Sequence, residues 1–322
     1  MTTTTQGRDA ALFLAAVEAA IRAPSMHNTQ PWRFRLRGAV MEILADRTRQ
    51  LAVADPRGWA LRLACGAAIF NARLAFAVGG HPAEVRLRPE PTEPDLLAQL
   101  VPGPHRPTTP QERALYAAIP LRHSNRQPFS PEPVPTDARR QLVTAAREEG
   151  AWLDLLSGRG PLAVVAELVR AADTTLIRDS AYRRELDAWS HRVGAADGVP
   201  ADAGGPSPEP QDLLAMRPFG DHPRAPGRDF ESDPLVAVLG TPGDTIHDHL
   251  VTGQALQRVL LTVTDHRLAA SMLSQPIEVP AARERLRRGL GRLGTPQMVL
   301  RIGYGRPTFP TPRRPVADVI DN

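Results

Sequence analysis

The chain has 322 residues and a mass of 35.0 kDa, room for one large domain or two of ordinary size. Its 42% hydrophobic content excludes wholesale disorder. No run is read as a bilayer span of roughly 20 apolar residues, and Met1–Asp9 lacks the apolar core of a signal peptide, so a cytoplasmic protein is expected. The pI of about 10.1 points towards nucleic acid, but the net charge is only +4; all 39 basic residues are arginine, interleaved with Asp and Glu, and no nucleic-acid or membrane partner is expected.

In chain order, Asp9–Arg22 has apolar residues at helical spacing and stops at Pro24. Trp32–Leu36 and Val40–Leu44 flank Gly38 as a short hairpin. Trp59–Val78 reads as a long buried helix ended by Gly79-Gly80, and Glu84–Arg88 as a strand. Pro89–Pro110, with seven prolines, reads as a linker. Helices are expected over Gln111–Ile119, from Pro135 to Gly150 and over Leu162–Leu176, with a strand at Trp152–Leu156. Asp197–Asp233 is rich in Pro, Gly and Asp and too long for a plain connection, so a lid-like insert is expected. A strand Leu235–Leu239, helices Ile246–His266 and Ala281–Leu290, and a strand Gln297–Gly303 complete an α+β chain. The plan of a buried helix followed by a strand occurs in both parts, which suggests internal duplication.

Three stretches hold chemistry. In the run from Ala23 to Trp32, Pro24 and Pro31 bracket small polar residues between a helix and a strand. Such a turn can aim backbone amides, Ser25 and Asn28 at a ligand, or serve as a capped connection. Arg122-His123-Ser124-Asn125-Arg126 sets two guanidinium groups four apart, a pattern that suits phosphate or an exposed basic turn. Arg313-Arg314 lies in a proline-rich tail. His247-Asp248-His249 is not a metal site, because residues two apart on a helix point apart, and no metal is expected. Gly289–Gly294 has dinucleotide-loop spacing in the reverse structural context and reads as a helix stop. Cys65 sits in the apolar helix as a core residue.

Taken together, Pro24-Ser25-x-x-Asn28-x-Gln30-Pro31-Trp32, the Arg122–Arg126 run, Arg313-Arg314, Gly253–Gln257 and Arg301–Tyr304 resemble the signatures of FMN-dependent nitroreductases, most closely the Acg-like branch. The resemblance implies a nitroreductase-like fold of two fused halves, 1–105 and 106–322, forming an internal pseudo-dimer. The first half holds the Pro-Ser loop and the second the Arg-x-Ser run. At the second half's loop position, Ala145–Trp152 reads Ala-Ala-Arg-Glu-Glu-Gly-Ala-Trp, without the Pro-Ser-x-x-Asn signature. One FMN between the halves is therefore implied, with a degenerate second site.

The resemblance further implies that Arg122, Ser124, Arg313 and Arg314 bind the cofactor phosphate and that His123 contacts the cofactor; His27 and His123 are candidate proton donors near the flavin or structural hydrogen-bond donors. Arg126 would stand at the ring as the catalytic cation. Pro24, Ser25, Met26 and Asn28 would meet the ring from the other half, and Met272, Leu273 and Ser274 would lie along its edge. The implied activity passes two electrons from a donor such as NAD(P)H to a small nitroaromatic or quinone, in a chain that is its own pseudo-dimer and open to further association. A flavin store beneath a lid, or a dehydrogenase or oxidase tailoring a specialised metabolite, are the alternatives.

Overall fold

A computed structural model describes residues 2–156, 158–190, 194–214, 216–220, 223–224, 227, 229–308 and 310–321. The first half runs α1 (Thr2–Ala20), β1 (Trp32–Arg37), β2 (Val40–Ala45), α2 (Trp59–Val78), β3 (Ala83–Leu87) and β4 (Leu96–Pro102); α3 (Pro110–Ala118) follows and packs on both α2 and a later helix, Ile246–Asp265. Gly38, at φ +61°, makes the tight β1–β2 turn without the penalty that a side chain would bring. The second half runs α4 (Thr136–Glu148), β5 (Trp152–Leu156), α5 (Arg159–Arg178), α6 (Ser180–Ala188), β6 (Leu235–Thr241), α7 (Ile246–Asp265), β7 (Ala269–Leu273), α8 (Gln275–Glu278), α9 (Pro280–Leu290) and β8 (Thr295–Gly303). A capping box between Thr245 and Asp248 starts α7 and satisfies two of its free amides.

Both halves build a four-stranded, wholly antiparallel sheet in the same order, β1-β2-β4-β3 and β5-β6-β8-β7. Each breaks register between its second and fourth strands near the end of the second, at Ile43/Leu44 and at Leu239/Gly240. Each follows its second strand with a 20-residue, largely buried helix, and α2 and α7 pack on each other at the centre. The eighth residue of both helices is glycine, Gly66 and Gly253, and the two meet at the crossing. A Cβ on Gly66 would stand 2.4 Å from the Leu250 carbonyl oxygen, and one on Gly253 2.1 Å from that of Leu63. Around this contact Gln257 Nε2 donates to Asn71 Oδ1 at 2.8 Å, and Arg73 Nη1 donates to Gln254 Oε1 at 2.8 Å. These polar pairs fix the crossing of the two helices.

Two regions differ from the sequence reading. The proline-rich 89–110 stretch is not a plain linker, because β4 lies inside it and pairs with both β2 and β3. Its prolines fall before Leu96 or from Pro102 onward, which leaves Leu96–Val101 free to pair. By length and composition α2 could cross a membrane, against the expectation of no such stretch, yet 83% of its apolar window is buried within the protein. It is a core helix. The short β7, α6 and α8 are additions to the sequence reading.

The halves diverge in their connections. β1 and β2 are joined by residues 38–39, β5 and β6 by residues 157–234, so the 197–233 segment is the end of a larger insertion holding α5 and α6. Before β1 the chain takes eleven residues, 21–31; before β5 it takes three, 149–151. In that short turn Glu149 pairs with Arg73 of α2 at 2.6 Å and with Arg258 of α7 at 2.9 Å.

Candidate functional site

The long 21–31 connection is bound from several sides. Ser25 Oγ accepts from the Gln30 amide at 2.9 Å. His27, Asn28 and Gln30 all adopt left-handed backbone angles, φ +50°, +56° and +52°, which non-glycine residues rarely occupy. Asn28 Nδ2 donates to the carbonyls of Gly198 in the insertion and Pro312 in the tail, at 2.9 and 3.0 Å. Gln30 Nε2 donates to the Ala196 carbonyl at 2.8 Å, and Gln30 Oε1 accepts from the Arg314 amide at 2.8 Å. Insertion and C-terminal tail thus hold a strained loop of the first half in place.

A cavity opens beside this loop. Its walls are Pro24, Ser25, Met26 and His27; Trp59, Ala60, Leu63 and Ala64 of α2; Leu256 of α7; Arg126; Met272, Ser274 and Gln275 at the end of β7; Met298 of β8; and Met216, Arg217 and Phe219 of the insertion. Four of the chain's six methionines line it, giving soft, adaptable walls. Trp59 is fixed by donating Nε1–H to Gln297 Oε1 at 2.8 Å.

The Arg122–Arg126 run lies beside β7. Ser124 bridges Ala270, the Asn125 amide donates to the Ala270 carbonyl at 2.9 Å, and Asn125 Nδ2 donates to the Arg306 carbonyl at 2.7 Å. Arg126 reaches the cavity wall, donates Nη1 to the Ala203 carbonyl at 2.8 Å and stacks its guanidinium 4.6 Å from the Phe219 ring centre. At the other end of the run, Arg122 is buried and donates Nη2 to the Arg22 carbonyl at 3.4 Å. Arg313 comes to the same place, donating to the carbonyls of Arg22 and Ala23, both at 3.3 Å, and to Asn28 Oδ1 at 3.1 Å.

These arginines are held at a cost. Among the described residues no carboxylate pairs with Arg122, Arg126 or Arg313, and Nε of Arg122 and of Arg313 has no acceptor. Burial lowers Arg122 and Arg126 to about 10, Arg126 also feeling Arg217. Burial, with repulsion from Arg122 and Arg22, lowers Arg313 to about 9. The other buried arginines of the region are paired: Arg217 with Glu278 at 2.5 Å, and Arg301 with Glu231 at 2.5 Å. Arg122 and Arg313, which meet at the Arg22 carbonyl without a carboxylate partner among the described residues, suit an anion.

The remaining sequence candidates are spread out. Arg314 is engaged apart from this cluster, by the Asp318 carbonyl at 2.6 Å and Asp46 at 3.6 Å. His123 is half-buried beside Arg122 in a separate hollow with Arg267 and Arg306. Leu273 is fully buried and packs in the core of the second half. Sequence reasoning did not single out Met216, Arg217 and Phe219 as site residues. Their segment reads as irregular chain, and only the length of the insertion signals that it covers something.

No protein-family model matches the chain. It is 35% identical over 326 residues to "Putative NAD(P)H nitroreductase Rv3131" of Mycobacterium tuberculosis, covering 97% of this chain and 92% of that protein. It is 31% identical over 315 residues to "Putative NAD(P)H nitroreductase acg" of the same organism, covering 95% and 94%. Among solved structures, the FMN-dependent nitroreductase NfnB of Mycobacterium smegmatis in complex with NADPH aligns at 20% identity and a TM-score of 0.41, over 64% of this chain and 96% of that one.

Proposed function

The chain belongs to the NAD(P)H nitroreductase family, with its likeness extending to the Acg branch, and on that premise we propose that it is an FMN-dependent oxidoreductase with one cofactor site at the seam of its two halves. The observation that supports this most is the convergence of buried Arg122 and half-buried Arg313 on the Arg22 carbonyl, two guanidinium groups with orphaned, buried Nε donors and no carboxylate among the described residues. A phosphate dianion would take up those donors in charge-assisted, forked hydrogen bonds. The donors of Arg122 and Arg313 suit the phosphate end of FMN, and the methionine-lined cavity beside Arg126 would take its ring.

In this reading Arg122 and Arg313 bind the phosphate, with Ser124 beside them, while Arg314 holds the tail in place through Gln30. Arg126 keeps a permanent positive charge on the cavity wall and stabilises negative charge arriving on a bound ring. Pro24, Ser25, Met26 and the Asn28 hub come from the first half; Met272 and Ser274 come from the second. Phe219 and Met216 exclude water from above. When bound, FMN supplies two-electron transfer from a donor such as NAD(P)H to a small nitroaromatic or quinone-type substrate. The division at residues 105/106 and the role of the chain as its own pseudo-dimer belong to the same proposal.

A second reading, flavin storage, is favoured by one observation: the insertion is latched across the cavity by the buried Arg217–Glu278 pair. Anaerobic mixing of the flavin-loaded protein with NADH and with NADPH separates the two. Bleaching of the visible flavin band within seconds supports the oxidoreductase; no bleaching over minutes with either donor leaves storage. The site assignment is checked by paired variants. Arg126→Ala should lower the flavin potential more than it weakens FMN affinity, and Arg122→Ala should do the reverse; equal losses of affinity in both would refute these roles.

A further inference from the structure

His27 lines the cavity and is 4% exposed. Its Nε2 lies 3.0 Å from Arg217 Nη1. A guanidinium has no acceptor, so Nε2 must be the bare, accepting nitrogen. The charged and titratable groups around the ring are Arg126 and Arg217, with Glu278 of α8, Tyr182 of α6 and Asp173 of α5 behind Arg217. Burial and the two guanidinium groups hold the imidazole neutral. Its single proton is therefore on Nδ1, and Nδ1 has no hydrogen-bond partner among the described residues. The nearest ring packed on it is Phe219, edge to face, with centres 5.7 Å apart. The fold thus holds a buried donor without an acceptor on a residue kept at φ +50°.

We propose that His27 is a ligand-binding residue of this site: a neutral imidazole whose Nδ1–H donates to an acceptor atom of the bound ring system, with Arg217 of the insertion as the positioning residue that fixes its tautomer. The inference rests on the FMN reading above and extends it. It couples the insertion to the chemistry of the cavity, because displacing Arg217 frees the ring to move its proton to Nε2 and lose the donor.

The test is long-range proton–nitrogen correlation NMR of the full chain labelled with 15N-histidine, without and with FMN, in wild type and variants. His27→Gln identifies the His27 signals among nine histidines. The expected result is a neutral Nδ1–H tautomer between pH 6 and 8, with an Nδ1 resonance that shifts when FMN binds. Arg217→Met should bring back the commoner Nε2–H form, and Arg217→Lys, which still donates, should retain Nδ1–H. If Arg217→Met does not fold, wild type and Arg217→Lys still decide the tautomer. His27→Phe should weaken FMN binding by about three- to tenfold, the loss of one neutral hydrogen bond. A yellow protein with an Nε2–H ring, or with an Nδ1 resonance that FMN leaves unmoved, overturns the donor role and leaves the cofactor reading standing. A protein that keeps Nδ1–H but takes up no FMN overturns the cofactor reading, and the donor role with it.

Discussion

At Arg122, binding and folding pull in opposite directions. Its guanidinium is buried without a carboxylate among the described residues, so it opposes folding of the apoprotein and favours an anion. Arg122→Leu should leave the apoprotein melting temperature unchanged or higher, while FMN affinity falls by about 10- to 100-fold, the worth of a charge-assisted hydrogen bond. Calorimetry and fluorescence titration of the same sample read both. A lower melting temperature with undiminished affinity would mean that Arg122 only supports structure. His27 gives a pH signature. Its folded pKa lies well below 6.5, chiefly through burial and then through Arg217 and Arg126. As pH drops below about 6.5 the unfolded chain takes a proton that the folded one refuses, so stability is full above that point and is lost towards acid, by at most about 1.4 kcal/mol per pH unit. His27→Gln should flatten that part of the stability profile in urea titrations at pH 5 to 7; an unchanged slope contradicts the burial of a neutral ring.

At the level of elements, the glycine contact between α2 and α7 sets how closely the halves approach. Gly253→Ala would put a methyl group 2.1 Å from the Leu63 carbonyl, in a place where only backbone could yield. A loss of about 3 kcal/mol or more, or failure to fold, is expected. Gly289→Ala in α9, whose Cβ would meet nothing nearer than 4.0 Å, should instead stabilise by up to about 1 kcal/mol. Urea denaturation compares them directly.

Elements with a strong period of their own were legible in the sequence: α2 and β5 lie at Trp59–Val78 and Trp152–Leu156, as read. β4 was hidden because seven prolines dominate its neighbourhood, although none interrupts Leu96–Val101. The Pro-Ser loop and the Arg122–Arg126 run were visible as motifs, and the structure brings Pro24, Ser25, Met26, Arg126, Met272 and Ser274 around one cavity. Met216, Arg217 and Phe219 were not visible, because their place depends on long-range ion pairs: Arg217 to Glu278, and Glu231 to Arg301. No local pattern encodes such partners.

At the scale of the whole molecule, two sheets of one topology share a centre, and one half has elaborated its connections into a cover over the seam. Ion pairs hold that cover at Asp197 to Arg49, Arg217 to Glu278 and Glu231 to Arg301. Glu278→Gln leaves Arg217 buried without its counter-charge, a one-sided break worth about 3–5 kcal/mol. Local opening should become at least about tenfold more frequent, read as faster proteolysis within 197–233 and faster FMN release; unchanged rates would show that the latch does not control the cover.

The duplication also predicts asymmetry. In the proposed reading the eleven residues before β1 build the ligand loop, whereas the three before β5 close on Glu149, Arg73 and Arg258 and leave no loop to build a second site. The most direct measurement is therefore the flavin content of the full chain after saturation with FMN and removal of excess, by absorbance against quantitative amino-acid analysis. One flavin per chain is the predicted result. Two per chain, or none, would contradict a fused pair of halves with a single working seam.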